Sequence, residues 1–281
     1  MENRISKNKL GLYVSYILLT FLSVIFLAPF FFMLISSFKP GVDLMKNGLN
    51  FKINFDVMTF NNYKMLFSEG KRYLYWYRNS LIITALHTTL TLFFTSMVGY
   101  GLAIYNFKGR NIIFIIVLLV MMVPIEILLL PLYKLMIALK LIDKYMGVVL
   151  PFVVSPFAVF FFRQYVAGLP KELVDAARID GCSEFGIFIK IMAPLMKPAF
   201  GAMAILESMT SWNGFIWPLI VLRSTERFTL PVGLASLMTP YGSNYDMLMS
   251  GAVMSVVPIA IVFLLNQRMF VEGLAAGSIK Q

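Results

Sequence analysis

Histidine and cysteine are nearly missing from this chain, with only His87 and Cys182 among 281 residues. A single cysteine excludes an intrachain disulfide and any cysteine-based metal centre. A lone histidine excludes a His–His dyad and a multi-histidine metal site. Charge is scarce too: Asp, Glu, Lys and Arg make up 14% of the chain, against about 25% in soluble domains. No GxxxxGK[ST] loop is present, so the chain carries no phosphate cradle of its own, and any nucleotide-driven work falls to a partner. Without a Gly-x-Ser-x-Gly elbow or a second metal-type cluster, an intramembrane protease would lack its nucleophile–base pair or metal set. No catalytic residue and no metal ligand is expected.

What fills the chain instead is hydrocarbon. Hydrophobic residues reach 59% and the mean hydropathy is +0.79, which sets the class as integral membrane protein. The formal charge of +10 fits basic loops beside lipid headgroups better than a nucleic-acid surface, and no nucleic-acid partner is expected. The basic N-terminus, MENRISKNKL, precedes an apolar run too long for a signal-peptide core, which reads as a retained first helix. A spanning helix needs about 20 mostly apolar residues. Six stretches qualify, at about 12–35, 80–104, 112–132, 146–162, 199–222 and 250–270, within one transmembrane domain covering 1–281. Pro29, Gly99, Gly101, Pro124, Pro156 and Pro258 interrupt them, as suits helices that bend or line a cavity.

Six spans put both termini on one side. The 24 Lys and Arg then divide evenly between the two faces, with Arg4, Lys108 and Lys280 on one and Lys52, Arg78 and Arg223 on the other. The positive-inside rule gives a tie. Two longer segments lie between spans: 38–79, with an aromatic end (Tyr73, Tyr75, Trp76, Tyr77), and 223–249, with Pro231, Pro240 and Gly242.

The segment 169–198, LPKELVDAARIDGCSEFGIFIKIMAPLMKP, is the one long charged run in the second half. Pro170 can open a helix, and Glu172 and Asp175 sit where carboxylates favour the positive helix end. Asp175 and Arg178 are spaced to pair, while Leu173, Ala176, Ala177 and Asp180 share a face. The two alanines keep that face small, so another protein can approach closely. Gly181 suits a helix stop, and Ser183 can cap a second short helix carrying Phe185, Phe188, Ile189 and Ile191. Pro194 and Pro198 separate it from the fifth span. The pattern alone also fits an amphipathic loop lying on lipid.

Asp175-Ala176-Ala177, three residues, Gly181, nine residues, Ile191, one residue, then Ala193-Pro194 resembles the EAA loop of the permeases of binding-protein-dependent ABC importers. Asp175 stands for the usual Glu and Ala193 for the usual Leu. Similarity to maltose-type sugar permeases extends through Met58-Thr59-Phe60, Asn79-Ser80-Leu81, Pro131-Leu132-Tyr133, Ser211-Trp212-Asn213, Trp217-Pro218-Leu219 and Gly273-Leu274-Ala275-Ala276-Gly277. More narrowly, the chain looks like permeases for arabinose-containing oligosaccharides.

The resemblance implies an all-α, six-span type I importer permease with a cytoplasmic coupling helix carrying Glu172, Asp175, Ala176, Ala177, Arg178, Asp180 and Gly181. It also implies partners: a second, homologous permease in a heterodimer, two copies of a cytoplasmic ATPase, an extracytoplasmic sugar-binding protein and membrane lipid. ATP and Mg would be used by the ATPase, with no cofactor bound by this chain. The loop would break the charge tie, placing both termini in the cytoplasm and the 38–79 and 223–249 segments toward the binding protein. Gly181→Asp or Ala177→Asp is expected to leave the protein in the membrane but uncouple it. A permease for a peptide, phosphate or opine is the alternative, since the loop does not read cargo; a stand-alone channel or secondary transporter would need no docking loop.

Four residues tempt as a substrate path. Glu126 follows Pro124 within the third span, where a central carboxylate costs about 2.5–3.5 kcal/mol on insertion scales; it suits sugar hydroxyls or a broken helix backbone equally. Trp212, Asn213 and Trp217 combine aromatic faces with an amide, as sugars require, although membrane Trp also form interface belts. Glu207 is a further buried-acid candidate, and His87 reads as a packed helix residue.

Overall fold

The structure, a computed structural model, describes residues 2–48, 55, 57–68, 71–239 and 242–278. Lys52, Pro240 and Lys280 lie outside the described residues. Helix dominates, with one two-residue antiparallel ladder, Met238–Thr239 with Gly242–Ser243. The chain divides into two units, residues 1–73 with 234–256 and residues 74–233 with 257–281.

Among the described residues, three helices are long and apolar enough to cross a membrane unbroken: Gly11–Ser37, Arg72–Ile104 and Met247–Gly273. The third and fourth expected spans are bent pairs, and the fifth follows the preceding helix through a bend. Arg110–Met121 and Ile125–Ala138 meet at 103°, Tyr145–Phe152 and Pro156–Ala167 at 46°, and Glu184–Leu195 and Lys197–Trp212 at 79°. The third span is therefore not one straight rod over 112–132. Pro124 has no N–H to continue the helix from Met121 and instead caps the next one, with extended backbone at ψ 132°. The fourth span breaks where the Ser155 hydroxyl accepts the Ala158 N–H at 3.3 Å, just before Pro156. The fifth ends at Trp212, short of 222, and resumes as Ile216–Val221.

Two other expectations change. The second span starts at Lys71 rather than 80, because Tyr73 and Trp76 are buried helix residues and not a loop end. The rest of the 38–79 segment also contains helices, Gly41–Asn47 and Asn61–Ser68. Gly99 does not break its helix. A Cβ there would lie 2.7 Å from the Phe162 Cβ and 2.8 Å from the Arg163 backbone nitrogen, so glycine lets the second and fourth spans touch backbone to backbone.

In the first unit, the Tyr73 hydroxyl donates to the Gly251 carbonyl at 3.2 Å, and Asn62 donates to the carbonyls of Ser37 and Lys39, each at 2.8 Å. Along Gly11–Ser37 nearly every side chain is exposed, a surface that only hydrocarbon surroundings make inexpensive.

The second unit has two apolar cores. One gathers Tyr100, Phe162, Val166, Val174, Ala177, Ile187, Phe188, Met192 and Met203. The other gathers Ile83, Met136, Val149, Val153, Trp217 and Val221. A polar clasp adjoins the second core. Asp143, at φ 59°, accepts N–H bonds from Arg223 at 3.0 Å and Ser224 at 3.1 Å, and the Ser224 hydroxyl as well. Arg227 donates to the Asp143 carbonyl at 2.7 Å. Burial works against ionisation of Asp143, but these hydrogen bonds and the Arg227 charge outweigh it and hold the carboxyl below the usual range. Nearby, Asn79 bridges the carbonyls of Glu226 and Phe228 and accepts from the Tyr145 hydroxyl at 2.6 Å.

Candidate functional site

The 169–198 segment forms two short helices around a tight turn. The first is Glu172–Ile179, with Pro170 lying two residues ahead of it. It closes in a Schellman motif: the Cys182 N–H bonds to the Ala177 carbonyl and the Gly181 N–H to the Arg178 carbonyl, each at 3.0 Å. Gly181 takes φ +77°, a conformation that L side chains resist, with open space around its Cα. Ser183 then caps the next helix, accepting the Gly186 N–H at 3.2 Å. That helix runs through a π-turn at Phe188–Met192 and includes Pro194; the bend toward the fifth span falls at Met196, between the two prolines.

Charges brace the turn. Arg178 pairs with Asp175 at 3.2 Å, as its spacing suggests, and with Glu184 at 2.8 Å. Glu184 also accepts the Tyr105 hydroxyl at 2.6 Å, and the Arg178 guanidinium lies 5.8 Å from the Tyr105 ring centre. The end of the second span is thus tied to the turn through Tyr105 and Glu184. Neither residue stands out in the sequence, because their partners are six and more residues away.

The shared face of alanines is split. Ala177 is 4% exposed and sits in the first core beside Val174, so it faces the protein's own interior. Leu173, Ala176 and Asp180 remain exposed, joined by Glu172, Asp175 and Ile179. Ile179 is 87% exposed, an apolar side chain presented outward at the helix end, one turn from Ala176. Periodicity groups these positions but does not tell inside from outside, which is why Ile179 escaped the sequence reading.

The path candidates scatter. Glu126 lies exposed in the first turn of Ile125–Ala138, just past the 103° break. Trp212 is buried and its ring meets Tyr77 edge-on, with centroids 5.7 Å apart. The exposed Asn213 donates to the Met209 carbonyl at 2.9 Å, closing its own helix. Trp217 belongs to the second core: its indole N–H donates to the Gly147 carbonyl at 3.1 Å, and its ring packs edge-on against Phe152. That bonding gives Trp217 a structural task. Glu207, by contrast, is 6% exposed and borders a cavity that Ser155 and His87 also line.

Residues 92–275 match the model of the family described as binding-protein-dependent transport system inner membrane component. The chain is 60% identical over 259 residues to the arabinooligosaccharides transport system permease protein AraQ of Bacillus subtilis (strain 168), covering 92% of each. It is 53% identical to the protein of the same name from Halalkalibacterium halodurans, covering 92% of this chain and 93% of that one. Among solved structures, a chain of a bacterial ABC transporter that imports the acidic polysaccharide alginate matches with a TM-score of 0.78 at 23% identity, over 93% of this chain and 97% of that one; the likeness is one of fold. The 169–198 turn lies inside the matched region, and the chain belongs to the binding-protein-dependent inner membrane transport components, a membrane-spanning permease subunit of an ABC importer rather than an enzyme.

Proposed function

We propose that this chain is one of two related permeases through which an arabinose-containing oligosaccharide enters the cell. One copy of a cytoplasmic ATPase docks on the 169–198 turn, a second copy docks on the related permease, and the two together supply the energy. The docking surface is the exposed row Glu172, Ala176 and Ile179 with its neighbours Leu173, Asp175 and Asp180, ahead of Gly181. Both termini then lie on the ATPase side, and an extracytoplasmic binding protein delivers sugar from the other. ATP and Mg belong to the ATPase; this chain contributes the surface that feels its closure.

One observation carries the reading: the turn is rigid on one side and bare on the other. Val174, Ala177, Ile187 and Phe188 are packed into the same core as Tyr100 and Phe162 of the second and fourth spans. Close-packed interiors transmit displacement rather than absorb it. A push on Ala176 and Ile179 therefore reaches the spans directly. The sugar assignment draws on the arabinooligosaccharide permeases at 60% and 53% identity.

The test is the transporter reconstituted in proteoliposomes with its partner permease, ATPase and binding protein, assayed for arabinotriose uptake. Ile179→Asp should leave the permeases in the membrane while ATPase co-purification and uptake both fall. Wild-type co-purification and uptake in that variant would sink the docking assignment. Uptake of a peptide or phosphate in place of arabinotriose would redirect the cargo.

A further inference from the structure

The second unit holds a cavity of about 470 Å³ where two broken spans meet a buried acid. Val123 and Ile125 come from the break in the third span, Val154 and Ser155 from the break in the fourth, and Glu207 from the fifth. Its walls are mostly apolar, with few polar groups, and its size falls within the roughly 300–1,000 Å³ of small-molecule sites. We infer that this cavity is a saccharide subsite belonging to this chain, with the Glu207 carboxyl as its principal hydroxyl partner.

Glu207 is 6% exposed within an apolar helix. An ionisable group in such a place is costly and marks a functional position by default. Glu207 and Ser155 both line the cavity, and a carboxylate offers about four acceptor positions. Spare acceptors beside a cavity suit the vicinal hydroxyls of a sugar. The group serves in either protonation state, since a protonated carboxyl adds a donor.

His87 supplies a second, independent sign. It is also 6% exposed, contacts the Phe152 carbonyl, borders the cavity, and its Nδ1 has no partner. The Thr84 and Thr88 hydroxyls, likewise buried without partners among the described residues, border a different cavity beside Trp212 and Pro258. A buried polar atom left unpaired costs free energy, so the His87 Nδ1 beside the cavity is poorly explained as packing alone. Thr210 adds a hydroxyl at the rim, and Phe152 and Phe157 give apolar walls for the C–H face of a sugar ring. Discontinuous membrane helices are where such sites are built in transporters.

The inference rests on the sugar-importer reading above, and the experiment separates the two. The complete transporter in proteoliposomes is given arabinotriose or arabinobiose, with uptake, binding-protein-stimulated ATP hydrolysis and thermal midpoint measured together. Glu207→Ala should lower arabinotriose uptake about tenfold or more, the order of loss for one hydrogen bond to a charged group. The thermal midpoint should stay near that of wild type, and the arabinotriose-to-arabinobiose uptake ratio should change. Glu207→Gln, which keeps shape and one acceptor, should lose less. Unchanged uptake in Glu207→Ala overturns the subsite. So does a parallel fall in uptake, hydrolysis and midpoint with the ratio unchanged, which is what a structural carboxyl would give. A wild-type transporter indifferent to both sugars would instead bring down the sugar reading on which the subsite depends.

Discussion

Placing the same aspartate at two neighbouring positions, Ala176 and Ala177, separates docking from folding. Ala177 is 4% exposed and packed in the first core of the second unit with Val174, Ile187 and Phe188. A carboxylate there would be buried among apolar side chains, and an uncompensated buried charge costs on the order of 3–5 kcal/mol. Ala176 is exposed, so Ala176→Asp loses helix propensity and adds repulsion from Glu172, together under about 1 kcal/mol. With roughly 2–4 °C of midpoint per kcal/mol in chains of this size, Ala177→Asp should lower the thermal midpoint of the purified complex by about 10 °C. Ala176→Asp should move it by no more than about 4 °C while uptake still falls. Ala177→Asp therefore does not test uncoupling, as the sequence alone suggested; Ala176→Asp does. The assay is a thermal melt of the detergent-purified complex beside proteoliposome uptake. Equal midpoints for the two variants would refute the assignment of inward and outward faces.

Three more outcomes are expected. Gly181→Ala meets no atom within 4 Å, so its cost is backbone strain alone, about 1–2 kcal/mol for a left-handed L residue; urea or thermal unfolding should show it, with Gly181→Asn milder. Gly99→Ala forces a Cβ to 2.7 Å from that of Phe162 and should destabilise by about 1–3 kcal/mol, measured the same way; a wild-type midpoint would mean that the two spans part freely. Asp143 ionises more easily folded than unfolded, so its stabilising effect is present above the ordinary carboxylate pKa and is lost as pH falls through the lower folded value. Melting curves below about pH 4 should show wild type losing midpoint faster than Asp143→Asn, and parallel curves would contradict the clasp.

Local chemistry was legible where partners are near in sequence. The Gly181 stop, the Ser183 cap and the Asp175–Arg178 pair all follow from spacings of a few residues. The continuous apolar runs announced six crossings, and Pro124 and Pro156 marked where two of them break. The angles did not show, because hydrophobicity has no direction: the 103° turn depends on what packs beside Met121 and Ile125. Inside and outside on a short amphipathic helix were equally hidden, so Ala177 was grouped with Ala176 and Ile179 was passed over. The bond from the Trp217 N–H to the Gly147 carbonyl joins residues 70 apart in the chain, beyond what local spacing can show. Glu184 and Tyr105 needed 79 residues of chain to meet.

The capped turn at Gly181 places the chain's single cysteine at the tip of the segment. Cys182 is exposed and unbonded to any other cysteine, and no second thiol exists in the 281 residues. The unaltered polypeptide thus has one thiol to address, next to the residues that would meet the ATPase. A maleimide fluorophore or spin label on the native chain reads out that meeting without a cysteine-free background, and a partner seated on the turn should slow the labelling rate.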